Sequence, residues 1–116
     1  MHEFALVQSL LTLVEQKARE NRLTRVHRVK IVVGRLTMAL PEALRLAFEA
    51  LSPGTVAEGA ELEIEEREVQ LHCPDCGLDF SPREFRFSCP RCGHPRPSLL
   101  QGRELYLDFL EGEDGE

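Results

Sequence analysis

Apolar residues recur at steps of three and four from Phe4 to Ala18, through Val7, Leu11 and Val14, with Leu6, Leu10 and Leu13 widening the stripe. That spacing predicts one amphipathic helix, which runs out near "ENRL". "VHRVKIVVG" then alternates, with Val29, Ile31 and Val33 on one face and Arg28 and Lys30 on the other, and predicts a strand ending at Gly34. Pro41 suits a first helical turn and Glu42 complements a helix N-terminus. Leu44, Ala47, Phe48 and Leu51 form a second apolar stripe before "SPG" stops it. "AELEIEEREVQLHC" alternates through Leu62 and Ile64 and resumes out of phase at Val69 and Leu71, which predicts a strand with a bulge or bend leading into a cysteine-rich segment. "GRELYLDFLE" alternates again, with Leu105, Leu107 and Phe109 on one side.

The predicted order is helix, strand, helix, strand, cysteine module, strand. A strand on each side of the module requires its two ends to return to one sheet, so the module is an insertion. The expected fold class is α+β: a small three-stranded sheet with two helices, plus an inserted four-cysteine zinc ribbon. The corresponding division is an α/β domain from residues 1–70 and 99–111, a ribbon over 71–98, and a solvated acidic tail over 112–116, where no apolar side chain is available for burial.

The four cysteines are Cys73 and Cys76, then Cys89 and Cys92 after twelve intervening residues, within "CPDCGLDFSPREFRFSCPRCG". Two residues between thiols let one turn present both sulfurs to a metal, and Gly77 and Gly93 allow the left-handed conformation that closes each turn. Two such turns complete a tetrahedron with no vacant position, so the metal is structural rather than catalytic. Zinc is the expected ion. Iron also uses CxxC pairs followed by glycine, and the alternatives to a metal are two redox dithiols or accidental surface cysteines. Phe80, Phe85 and Phe87 alternate through the gap as a small hairpin covering the ribbon would require. His72 and His94 are expected as solvated residues flanking the knuckles, and His27, at a strand start among basic residues, as a surface residue.

Composition narrows the function. At 116 residues the chain is one domain's worth, and 42% hydrophobic with 29% charged residues is ordinary globular usage. A net charge of −6 opposes a protein that works by neutralising phosphates, and the module's own charges nearly cancel, so no nucleic-acid partner is expected. No apolar run approaches the roughly 18 residues of a membrane span. The N-terminus carries Glu3 and no basic region, so no signal peptide is read and a cytoplasmic location is expected. No nucleophile with an orienting base is left once the ribbon takes the cysteines, so the chain should not be an enzyme.

The opening "MHE" is a second candidate site. His2 is too bulky for removal of Met1 by methionine aminopeptidase, so the free amine belongs to Met1. From it, the deprotonated amides of His2 and Glu3 can each close a five-membered chelate ring, with the His2 imidazole in reach. Such nitrogen donors suit Ni(II) or Cu(II). A histidine at position two is otherwise an ordinary exposed residue.

Together, "MHE" before a leucine-rich helix, "VGRLTMALPEALRLAFEAL", "AELEIEE", the doubled CxxC ribbon and "GRELYLDFLE" resemble the HypA/HybF family of hydrogenase nickel-incorporation proteins, in order and over nearly the whole chain. The resemblance implies nickel binding at Met1, His2 and Glu3, and zinc binding at Cys73, Cys76, Cys89 and Cys92. It implies a metallochaperone whose cargo is Ni(II), working with the GTPase HypB to supply the [NiFe]-hydrogenase large subunit and in some bacteria urease. It leaves open a monomer or a weak homodimer. The outer face of the first helix, with Glu15, Gln16, Arg19 and Glu20, is the expected docking surface for HypB. The alternative, permitted by cysteine spacing alone, is a zinc-ribbon adaptor in transcription or nucleic-acid binding. One departure stands out: many members have a serine-glycine pair after the central "GxL", where this chain reads "TMA".

Overall fold

A computed structural model describes residues 2–114. In order along the chain they form α1 (His2–Glu20), β1 (Leu23–Gly34), a 3-10 turn (Arg35–Thr37), α2 (Pro41–Leu51), β2 (Glu61–Arg67), β3 (Gln70–His72), β4 (Asp79–Phe80), β5 (Ser98–Gln101) and β6 (Leu105–Asp114). The described residues divide into two compact units, one of 2–32, 39–65 and 106–114, the other of 33–38 and 66–105.

In the first unit α1 buries Val7, Leu11, Val14 and Ala18, as its apolar spacing requires. The stripe ends differently at the N-terminus. Phe4 is 37% exposed, and the inward position of the first turn is taken by Glu3, four residues before Val7. α1 packs on α2, which buries Leu44, Ala47 and Phe48. Pro41 begins α2, where a missing N–H leaves no acceptor wanting.

The strand order of the main sheet is β2-β1-β6. Arg28 pairs with Glu63 and Lys30 with Glu65. Partner numbers rise together, so β1 and β2 run parallel and α2 is the crossover of a βαβ unit. Toward the other edge Lys30 pairs with Asp108, Arg28 with Glu111 and His27 with Glu113. Here the numbers run oppositely, so β6 is antiparallel. The ends of the cysteine module thus return to the same sheet as expected, on opposite sides of β1.

As the middle strand, β1 is buried on more than one face. Val29 and Ile31 are buried as expected, and so are Val26 and Val32 in the phase of Arg28 and Lys30. Those two cations stay half-buried because acids from both neighbouring strands reach them and the Phe109 ring lies beneath, 5.2 Å from the Arg28 guanidinium carbon and 5.8 Å from Lys30 Nζ. β6 buries none of its side chains: Leu105 and Tyr106 are exposed, Leu107 and Phe109 half-buried. It continues through Gly112, Glu113 and Asp114, residues expected in the acidic tail, because backbone pairing does not depend on apolar side chains. Gly112 there lies against the Arg25 carbonyl, and the Thr24 hydroxyl donates to the Glu113 carbonyl.

In the second unit the expected single strand is broken at Glu68 and Val69, and β3 joins a separate sheet of order β4-β3-β5. Both pairings are antiparallel, with Leu71 opposite Phe80 and Leu99, and a bulge falls between Gln70 and Leu71. The end of β1 and the turn after it meet the segment before β6: Gly34 N–H donates to the Glu104 carbonyl at 2.7 Å and Leu36 N–H to the Gly102 carbonyl at 2.8 Å. The 3-10 turn closes on Met38, which has φ of 63°. The chain's departure from a serine-glycine pair therefore falls on the one residue of this turn whose backbone favours glycine.

Candidate metal centres

Each cysteine pair sits in the same local fold. Cys73 N–H donates to the Leu78 carbonyl at 2.8 Å and Gly77 N–H to the Cys73 carbonyl at 2.9 Å. Cys89 N–H donates to the His94 carbonyl at 2.9 Å and Gly93 N–H to the Cys89 carbonyl at 2.9 Å. Gly77 and Gly93 have φ of 77° and 81°, which a side chain would strain. The CPxCG spacing is thus read out as two equivalent knuckles.

The knuckles face each other, and all four sulfurs lie within 4.8 Å of one another. Cys73 and Cys92 Sγ are 3.4 Å apart, Cys76 and Cys89 Sγ 3.6 Å. None is in a disulfide. A tetrahedral ion with metal–sulfur bonds of about 2.3 Å sets its thiolates roughly 3.8 Å apart, so the donor set fits such an ion in number, softness and spacing.

The surroundings favour thiolate unevenly. Hydrogen bonding to Arg91 first, then to the Leu78 backbone, lowers the Cys76 pKa from 9.0 to about 6. Cys89 is lowered despite burial, because the Cys92 and Arg91 N–H groups point at its sulfur, at 3.5 and 3.4 Å. At Cys92 the His94 backbone favours the thiolate, but the neighbouring Cys73 and burial prevail and push it up to about 12. A bound cation reverses that last preference by supplying the missing positive charge.

Of the three phenylalanines expected to cover the ribbon, Phe80 packs partly and the other two stay outside. Phe80 is half-buried on β4, whereas Phe85 is 70% exposed and Phe87 sits at the surface. The histidines near the knuckles hold acids: His72 Nδ1 lies 2.6 Å from Asp79, and His94 Nε2 lies 3.7 Å from Asp75 while its Nδ1 accepts from Arg96 N–H at 3.0 Å. His27 is exposed on β1, 3.2 Å from Glu113.

Of the second candidate site, Met1 lies outside the described residues. His2 and Glu3 form the first turn of α1, where backbone N–H groups have no intrahelical acceptor. The His2 side chain is about half exposed, with Nδ1 3.7 Å from Glu3 Oε1. Glu3 is buried, and its Oε2 accepts the Leu40 N–H at 3.2 Å. That bond, then one to its own N–H, holds the Glu3 carboxyl below the usual range. The sequence offered no signal for this contact. Only the continuation of the buried stripe from Val7 back to position 3 could have suggested it. On the outer face of α1, Glu15 is half-buried and accepts the Val56 N–H at 3.4 Å, while Gln16 and Lys17 reach Glu20.

A two-helix α+β unit carrying an inserted four-thiol module defines a class of small metal-handling proteins. Residues 1–112 match the family described as "Hydrogenase/urease nickel incorporation, metallochaperone, hypA". The chain is 45% identical over 113 residues to the hydrogenase maturation factor HypA of Moorella thermoacetica, covering 97% of this chain and 100% of that one. It is 42% identical over 113 residues to the HypA of Aquifex aeolicus, with 97% and 98% covered. The solution structure of the Ni metallochaperone HypA from Helicobacter pylori superposes with a TM-score of 0.67 at 27% identity, covering 97% and 98%. A second HypA solution structure gives 0.70 at 31%, covering 97% and 96%. The chain belongs to the HypA family of nickel metallochaperones. Among the described residues no helix is long and apolar enough to cross a membrane.

Proposed function

We propose that this chain binds Ni(II) through Met1, His2 and Glu3, holds one structural Zn2+ on Cys73, Cys76, Cys89 and Cys92, and passes its nickel on with the GTPase HypB for maturation of a [NiFe]-hydrogenase. The observation that carries the reading is the family match, which begins at residue 1 and so takes in the Met-His-Glu sequence together with both knuckles. Family membership favours it over the adaptor reading, which rested on cysteine spacing alone. Zinc is the ion a closed set of four thiolates suits best, and it leaves no position for chemistry.

At the terminus the ligands are the Met1 amine, the His2 and Glu3 amide nitrogens and the His2 imidazole. The Glu3 carboxylate stands beside these nitrogen donors, its Oε2 accepting the Leu40 N–H. The helix start supports the amide ligands, because its first amides have no carbonyl acceptor to surrender. Such a site is open to solvent and releases nickel when its nitrogens take up protons, as a carrier requires. HypB docks on the exposed part of α1, where Gln16, Arg19 and Glu20 remain outside the core.

The test is calorimetric titration of the zinc-loaded protein with Ni(II) and then with HypB from the same organism. One nickel per chain, lost in His2→Ala, and HypB binding weakened by charge reversal at Arg19 and Glu20 are expected. Nickel binding unchanged in His2→Ala removes the proposed site. HypB binding absent from the native protein removes the delivery step.

A further inference from the structure

The segment between the two knuckles turns back on itself in an unfavourable way. Arg83 and Arg86 form an antiparallel bridge, with Arg86 N–H donating to the Arg83 carbonyl at 2.9 Å. The two residues between them, Glu84 and Phe85, have φ of 53° and 59°. A tight turn with both central residues left-handed is the geometry that asparagine and glycine serve, and neither is present. Residues opposed across a bridge also share a face, so two like-charged side chains start from directly opposed positions, a destabilising arrangement. Among the described residues no acid makes an ion pair with either one, and Glu84 at the apex is no exception.

The same two arginines line a cleft of about 390 Å³ with Phe80, Pro82 and Pro90. Ser81 and Ser88 lie on its wall, and Ser81 Oγ already accepts from the Gln70 amide at 2.6 Å. Two cations lining one cleft with an aromatic and two prolines want an anion that carries apolar surface beside it. Free phosphate has no apolar surface. A nucleic acid needs a wider positive field than a chain of net charge −6 provides. Acidic protein segments supply both parts, since arginine pairs carboxylate in a forked geometry and adjacent aliphatic side chains can lie on the ring and prolines.

We propose that this cleft is a docking site for an acidic segment of a partner protein, one whose carboxylates meet Arg83 and Arg86 while a neighbouring apolar side chain lies on Phe80, Pro82 and Pro90. None of the residues lining the cleft is a proposed metal ligand, although Ser88 and Pro90 flank Cys89 in the chain, and the proposal stands or falls whatever ion the terminus carries.

The experiment is a nuclear magnetic resonance titration of nitrogen-15-labelled, zinc-loaded full-length protein with a short blocked peptide alternating glutamate and leucine. Saturable shifts confined to amides of residues 80–90, with a Kd of roughly millimolar or tighter, are expected. Exchanging glutamate for lysine in the peptide should abolish them, and exchanging leucine for glycine should weaken them about tenfold, a difference of about 1.4 kcal/mol. The double variant R83E/R86E should weaken binding at least about tenfold with zinc content intact. If that variant loses zinc, R83Q/R86Q takes its place with the same expectation. Equal shifts from inorganic phosphate overturn the proposal, as do shifts centred elsewhere, no saturable shifts, or binding indifferent to both arginine variants. Nickel titration of the variants should match the native protein, so failure here is separable from failure at the terminus.

Discussion

The Glu3 carboxylate accepts the Leu40 N–H at 3.2 Å, joining the first turn of α1 to the residue that caps α2. Thirty-seven residues separate them in sequence, and the bond ties the terminus to the helical core. Removing it in Glu3→Ala should lower the thermal midpoint, and Glu3→Gln, which keeps an oxygen acceptor, should recover part of the loss. The pH dependence has a definite sign. Because the folded-state pKa is depressed below 4.5, this contribution is complete above the ordinary carboxylate range and disappears as pH falls through the lowered value. Denaturant melts of wild type and Glu3→Gln at acid and neutral pH measure it. Equal pH slopes below the ordinary carboxylate range would remove Glu3 from that role.

Met38 should be improvable. Its φ of 63° strains a side chain that is 60% exposed and gains little from packing. Left-handed backbone costs a non-glycine residue about 1–2 kcal/mol, partly offset by the greater freedom of glycine when unfolded. Met38→Gly is therefore expected to stabilise the protein by about 0.5–1 kcal/mol in urea unfolding. A destabilised variant would show that Met38 makes contacts outweighing its backbone strain.

Gly34 is required for space rather than for conformation. A methyl group there would overlap the backbone carbonyl of Gly102, which cannot yield as a flexible side chain can. Gly34→Ala should disturb the hydrogen bonds from Gly34 to Glu104 and from Leu36 to Gly102, read as faster amide exchange at both donors. In the helical core, Phe48→Ala removes a 3%-exposed ring and is expected to cost about 3–5 kcal/mol.

Zinc and nickel should be separable by simple changes. Cys76→Ala deletes the thiol held by Arg91 and Leu78, so elemental analysis should find the bound zinc lost while the terminal site still takes nickel. A tag fused before Met1 should abolish nickel binding as fully as His2→Ala does, because chelation through the amides must begin at a free amine. Zinc should stay at one per chain. A tagged protein that titrates normally with Ni(II) would refute the amine-based geometry.

Local chemistry wrote much of this protein plainly. The stripe from Val7 to Ala18, Pro41 at the head of α2 and the glycines after each CxxC are short-range signals, in which spacing and backbone preference agree. They were legible because helix period and knuckle geometry are decided within a few residues. Only the tertiary structure decided what those pieces meet. Placing β1 between a parallel and an antiparallel neighbour buried Val26 and Val32 along with Val29, and gave Arg28 and Lys30 their acids. Burying position 3 turned Glu3 from a free carboxylate into the acceptor for Leu40. The turn at Glu84 and Phe85 left Arg83 and Arg86 opposed and Phe85 and Phe87 outside. Each of these depends on contacts between residues distant in sequence or on a backbone conformation against local preference, and neither is encoded in the spacing of apolar residues.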